Sequence, residues 1–138
     1  MGPLEAPKGK AEDRRAVVLI VEQDFLVRWP AAEHLRDSGY RVIEAGSAGE
    51  AMVVFSSGEH VDLVFSDINL SGELSGTGYA FARWLGHNHP NVPMLLTSGH
   101  GAAAPQAQIG IPFIPKPYVL AEVDQRIKEL LARRQGRA

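Results

Sequence analysis

Val61-Asp62-Leu63-Val64-Phe65-Ser66-Asp67-Ile68-Asn69-Leu70 is an apolar run that stops at an acid and passes into the polar, glycine-rich stretch Ser71-Gly72-Glu73-Leu74-Ser75-Gly76-Thr77-Gly78. A short continuous apolar segment bounded by turn residues predicts a strand buried on both faces, as in parallel sheets covered by helices. In open α/β sheets ligands gather outside the carboxyl ends of the strands, so Asp67 stands at the functional end. Taken alone, such an Asp is as well read as a turn residue. The remainder of the chain decides between the two.

Working outward, residues 16–21 form a second apolar, β-branched run that breaks into Glu22-Gln23-Asp24, a buried strand with acids at its end. A helix follows through Phe25, Leu26, Val27, Trp29, Ala32 and Leu35 to Ser38, and Gly39 stops it. Pro30 costs about 3 kcal/mol in a helix interior, which predicts a kink there or a start near Trp29. Residues 40–45 read as the next strand, and Ser47-Ala48-Gly49-Glu50 is a capping box opening a helix that runs through Ser57 and ends at Gly58. After the run at 61–66, residues 79–85 carry helical spacing through Phe81, Trp84 and Leu85. Pro90 and Pro93 bracket the return to a strand at 92–97, ending in Thr97-Ser98-Gly99. Residues 99–110 are alanine-rich but interrupted by Pro105 and glycines, which predicts a short or poorly ordered helix. Ile111-Pro112-Phe113-Ile114 reads as an edge strand closed by Lys116-Pro117, and Leu120, Val123, Ile127, Leu130 and Leu131 define a last amphipathic helix. The alternation predicts an α/β fold: a flavodoxin-like, doubly wound, five-stranded parallel sheet in the order 2-1-3-4-5 with helices on both faces.

With 138 residues one domain is expected, spanning 15–134 between a flexible N-terminal tail (1–14) and a short basic C-terminal tail (135–138), with no room for an output domain beyond it. Hydrophobic residues at 45% and charged residues at 22% are those of a soluble globular protein, and a net charge of −2 gives no electrostatic footprint for nucleic acid. The absence of cysteine excludes disulfides, thiolate metal sites and cysteine catalysis. Residues 16–21 are too short to cross a membrane or to serve as a signal-peptide core, so a cytoplasmic protein without a membrane anchor is expected.

Superposing the strand ends brings together Glu22 and Gln23, Asp67, Thr97 and Ser98, and Lys116. Adjacent carboxylates repel, and Mg²⁺, which takes one or two carboxylates, a carbonyl and several waters, is their natural neutraliser. A lysine and a hydroxyl suit phosphate oxygens, and the set is the equipment for phosphoryl transfer to an aspartate nucleophile.

Four motifs in order, VLIVEQD (18–24), VDLVFSDINL (61–70), LLTSG (95–99) and FIPKP (113–117), make residues 16–134 resemble the receiver domain of bacterial two-component response regulators. The resemblance implies a single-domain phosphoacceptor that is not an enzyme beyond assisting its own phosphorylation and dephosphorylation. Asp67 would take the phosphoryl group from a sensor histidine kinase, with Mg²⁺ held by Glu22, Asp67 and the backbone carbonyl of Asn69. Thr97 and Lys116 would contact the phosphoryl oxygens, the Lys116-Pro117 peptide would be cis, and Thr97 and Phe113 would form the switch. The output would pass through a downstream protein or a homodimer, not through DNA. Gln23 stands where the family usually places a second metal-binding acid, so weak Mg²⁺ binding is expected. The loop after Asp67 is longer than usual, with Ser71 in place of a common proline, and the stretch 99–110 is short for the usual switch surface.

Three enzyme or metal readings compete. Gly99-His100-Gly101-Ala102-Ala103-Ala104 satisfies a dinucleotide fingerprint formally, but it follows the fourth strand and leaves too little chain for a βαβ unit. Asp67-Ile68-Asn69 lacks the second acid an aspartate-nucleophile phosphatase needs. His87 and His89 flank Asn88 before a proline with no third ligand near in sequence, and Trp29 and Trp84 sit at packing positions. The remaining alternative shares the fold: a receiver-like interaction module that is not phosphorylated.

Overall fold

A computed structural model describes residues 14–69, 77–99 and 110–136. Five parallel strands, β1 (Val17–Val21), β2 (Arg41–Ala45), β3 (Leu63–Asp67), β4 (Met94–Ser98) and β5 (Phe113–Pro115), form one sheet in the order β2-β1-β3-β4-β5. Four helices are described: α1 (Phe25–Asp37), α2 (Ala48–Ser56), α3 (Thr77–Asn88) and α4 (Leu120–Gly136). The fold is the doubly wound one expected. The helix expected within 99–110 and most of the loop after Asp67 lie outside the described residues, as do residues 1–13 of the expected N-terminal tail.

The central strands are buried at every position because each face feeds a separate core. Val18, Ile20, Leu63, Phe65, Leu95 and Ile114 point to the side of α1 and α4, where they meet Ala31, Ala32, Leu35, Val123 and Ile127. Leu19, Val21, Val64 and Leu96 point to α2 and α3, against Ala51, Phe81, Ala82 and Leu85. Period-two alternation is therefore present in the packing, while the sequence shows only continuous apolar runs.

Helix α1 begins at Phe25, a turn before the alternative start at Trp29, with Pro30 inside it. The Asp24 side chain caps it by accepting the Leu26 N–H at 2.9 Å. The bond that Pro30 cannot donate would have gone to the carbonyl of Leu26, a residue 79% exposed, so water can take its place. At the other end Tyr40 N–H donates to Leu35 O and Gly39 N–H to Arg36 O, a Schellman closure that places Gly39 at φ 103°. Ser47 caps α2 by accepting the Glu50 N–H at 3.1 Å, and the Glu50 carboxylate reaches back to Gly46 N–H at 2.7 Å. The box thus closes one residue earlier than the reciprocal pattern on Ser47 itself.

Candidate phosphoacceptor site

The carboxyl ends of β1, β3 and β4 and the segment after β5 form one pocket. Asp67 ends β3 and is 5% exposed; Glu22, following β1, is 4% exposed. Two carboxylates taken out of water need compensation. Lys116 supplies it: its Nζ donates to Asp67 Oδ2 at 2.9 Å and lies 2.9 Å from Glu22 Oε1. The hydrogen-bond direction favours Asp67, and Glu22 Oε1 has no aligned donor among the described residues, leaving it as the ion-pair arm only. Burial pushes the Glu22 carboxyl above its ordinary range, against the pull of Lys116 and the Asp24 N–H, and the Asp67 charge adds to the push. Burial alone would lower the Lys116 ammonium, but its bonds to Asp67 and Glu22 outweigh that and raise it.

Backbone contacts set these positions. Asp67 and Thr97 are register partners across β3 and β4, and Lys116 N–H donates to Ser98 O at 3.0 Å, which hangs the lysine over the same strand ends. Asp67 Oδ1 accepts the Asn69 N–H at 3.1 Å, and Asn69 Nδ2 donates to Ser98 Oγ at 3.3 Å. Thr97 is 2% exposed, yet its Oγ1 has no hydrogen-bond partner among the described residues. An unpaired buried hydroxyl costs about 1–3 kcal/mol, so it marks a place where an external acceptor belongs. The Lys116–Pro117 peptide is cis. Phe113 is half-buried against the core on the α2 and α3 side, in register with Leu96, one step below Thr97. Tyr118 packs edge-on to Phe65, and its phenol is pushed up to about 12, first by burial and then by the charge of Glu22.

The donor set fits Mg²⁺. Two carboxylates with amide and main-chain oxygens match a hard, oxygen-seeking ion, and Glu22 Oε1 is the buried oxygen that such a cation would satisfy. Among the described residues no three His, Cys, Asp or Glu gather as a metal site, so a closed centre of zinc type is not present there. Glu22 and Asp67 would hold the ion in company with oxygens of residues 23 and 69, sharing the carboxylates with Lys116. Gln23 is exposed in the turn between Glu22 and the capping Asp24.

Two contributors to this geometry escape a reading of the sequence. Gly78, in the first turn of α3, donates its N–H to Ile68 O at 2.9 Å, and a Cβ there would collide with Ile68 O and meet Ile68 Cα at 2.5 Å and Asp67 O at 2.7 Å. The helix can close on the end of β3 only because this residue has no side chain; the sole signal is a glycine inside a helical pattern. Arg28 is the other: its Nη1 donates to the main-chain O of Glu22 at 2.8 Å. A broad groove of ≈ 1130 Å³ lined by Gly58, His60, His89, Pro90 and Ile111 lies at the amino ends of the strands and shares no residue with the pocket. His87 lies in the last turn of α3 and His89 just past its end, where the His89 ring packs tilted against Phe55 at 4.5 Å between centroids and lies 5.5 Å from Trp84.

Parallel strands in the order 2-1-3-4-5 with an acid, a lysine and a threonine at their carboxyl ends define the receiver class. Residues 18–128 match the response regulator receiver domain, and the chain belongs to that family. It is 33% identical over 123 residues to the sensor kinase CckA of Brucella abortus (strain 2308), a match covering 84% of this chain and 12% of that protein. It likewise spans only 26% and 54% of two transcriptional regulators that it matches. Among solved structures, a CheY-like receiver domain protein from Methanospirillum hungatei JF-1 superposes with a TM-score of 0.81 at 22% identity, over 90% of this chain and 99% of that one. A receiver protein from Sinorhizobium medicae WSM419 superposes with a TM-score of 0.78 at 26% identity, over 88% and 98%.

Proposed function

We propose that this domain accepts a phosphoryl group on Asp67 from the phosphohistidine of a sensor kinase, with Mg²⁺ assisting, and passes the signal on through a protein contact. The observation that carries this reading is the buried Asp67 carboxylate held by Lys116, with the hydroxyl of its register partner Thr97 left without a hydrogen bond among the described residues. In the transfer a carboxylate oxygen of Asp67 attacks phosphorus, an O–P bond forms and the N–P bond breaks. The bonding pair leaves on the imidazole nitrogen, which takes up a proton. Lys116 and Thr97 then pair with the phosphoryl oxygens, and the ion, when bound, offsets the charge accumulating on them. Satisfying Thr97 draws it toward the phosphate and frees room that Phe113, one register step below, can enter; the contact surface on that side of the sheet changes with it.

The domain serves as an acceptor and not as a turnover catalyst. No helix among the described residues is long and apolar enough to cross a membrane; a bacterial cytoplasmic location is part of the proposal. A phosphorylation-independent binding module is the second reading, favoured by Gln23 and by Lys116 already pairing with both carboxylates. Labelling with acetyl phosphate, with and without Mg²⁺, separates the two. Acid-labile, base-sensitive phosphate is expected on the wild type and absent from Asp67→Asn; label retained by that variant, or found on histidine, contradicts the assignment.

A further inference from the structure

Glu22 reaches the pocket through a flexible side chain, so something must hold it there. Its Oε2 accepts the N–H of Asp24 at 3.1 Å, which ties the carboxylate to the turn that follows β1. The turn is held in two places. Glu22 N–H donates to Ala45 O at 3.0 Å, fixing its start to β2. Arg28 Nη1 donates to Glu22 O at 2.8 Å, bracing its other side from one turn inside α1. Arg28 is itself anchored, because its Nε donates to Glu44 Oε1 at 3.0 Å on β2. Both side chains are largely covered, at 18% and 22% exposure. The planar guanidinium presents donors at fixed spacing to a carboxylate and a carbonyl at once, a fork that the compact ammonium of a lysine does not reproduce.

We infer that Arg28 is a positioning residue for the metal-binding carboxylate: by clamping the Glu22 carbonyl to Glu44 it holds Glu22 in the orientation Mg²⁺ requires. The inference rests on the reading of the pocket as an Mg²⁺-assisted phosphoacceptor site. Losing the clamp leaves the turn to be ordered at the moment of metal binding, and that ordering subtracts from affinity. Groups that orient a metal ligand are worth about 10–100-fold in affinity; Arg28 acts on the main chain of the ligand and not on its oxygens, which places it near the ten-fold end.

Charge alone predicts the opposite sign. Arg28 is a cation near a cation site, so removing it should tighten Mg²⁺ if its role were electrostatic. Arg28→Lys keeps the charge and loses the fork. Arg36→Ala is the internal control, since Arg36 Nη2 holds the other oxygen of Glu44 at 3.1 Å while its hydrogen bonds run to Glu33 and the Val42 carbonyl, away from the turn at Glu22.

The test measures two quantities on the unphosphorylated full chain: Mg²⁺ affinity by titration calorimetry, and metal-free hydrogen exchange at the Glu22 and Asp24 amides. Arg28→Ala and Arg28→Lys should each weaken Mg²⁺ by about ten-fold and speed exchange at both amides. Arg36→Ala should leave both readouts as in the wild type. Unchanged or tighter Mg²⁺ in the Arg28 variants overturns the inference, as does an equal loss in Arg36→Ala. If the wild type takes up no Mg²⁺, the metal reading fails separately, and the exchange data alone decide whether Arg28 positions Glu22.

Discussion

Gln23 is the residue whose chemistry departs most from its surroundings. An amide in place of a carboxylate keeps an oxygen that can meet a bound water but removes a full negative charge. Asp24 does not make up the loss, because its Oδ1 is engaged in capping Leu26 N–H at 2.9 Å. The buried charges are then Glu22 and Asp67 against Lys116, which leaves a single net negative charge to attract a divalent ion. Gln23→Asp should tighten Mg²⁺. A unit charge about 4 Å from a divalent ion contributes about 2 kcal/mol in a water-like surround, or about thirty-fold in affinity. Trp29, half exposed one turn into the helix that follows Gln23, is the fluorophore to follow in the titration. Equal affinity in wild type and variant would show that another group supplies the missing charge. The added acid should also raise repulsion at Asp67, so labelling by acetyl phosphate at saturating Mg²⁺ should not rise in parallel.

At the scale of elements, the join between β3 and α3 constrains the site most tightly. Gly78→Ala sets two effects against each other. Alanine is about 1 kcal/mol better than glycine in a helix. Its Cβ, however, would lie under 3.0 Å from three backbone atoms of Asp67 and Ile68, which cannot turn aside as a side chain can. Overpacking of this kind costs about 1–3 kcal/mol and is relieved only by moving α3 or the end of β3. The steric cost wins, and Gly78→Ala should lower the thermal midpoint by several degrees and slow labelling of Asp67. A glycine lacking such a contact, Gly86, serves as the control: nothing lies within 4 Å of a Cβ there, so Gly86→Ala should be neutral or stabilising. Loss of stability in both variants alike would remove the argument from close approach.

On the scale of the whole molecule, the sheet order and the meeting of Glu22, Asp67, Thr97 and Lys116 were legible in the sequence. Buried parallel strands read as apolar runs, and their polar ends fall on one edge by topology. What stayed hidden depends on partners far away in the chain. Arg28 reads as a surface helix residue until β2 brings Glu44 beside it, and strand bounds shifted by one to two residues because ladder bonds, not hydropathy, define them. Asp62 is the largest such omission. It immediately precedes the strand that Asp67 closes, and it is 9% exposed. Its Oδ2 accepts Val17 N–H at 2.8 Å, its Oδ1 meets His60 Nε2 at 2.8 Å and Arg134 Nη2 at 2.9 Å, and Arg134 Nη1 donates to its carbonyl at 2.7 Å. One carboxylate thus fastens β1, β3 and α4 at the end of the sheet opposite the pocket. Burial would raise its pKa, but the Val17 N–H, Arg134 and His60 together hold it below the ordinary Asp value of 3.8. Because the folded pKa is the lower one, the ionised carboxylate contributes stability above the unfolded value and loses it as pH falls through the folded value. Asp62→Asn should therefore cost about 1–3 kcal/mol at neutral pH, as expected for a charged, buried hydrogen-bonding group made neutral. The gap between the denaturation midpoints of wild type and variant should then close as the pH is lowered past that value, where both carry a neutral group. A gap that persists unchanged into acid would mean that shape, and not the charge on Asp62, joins α4 to the sheet.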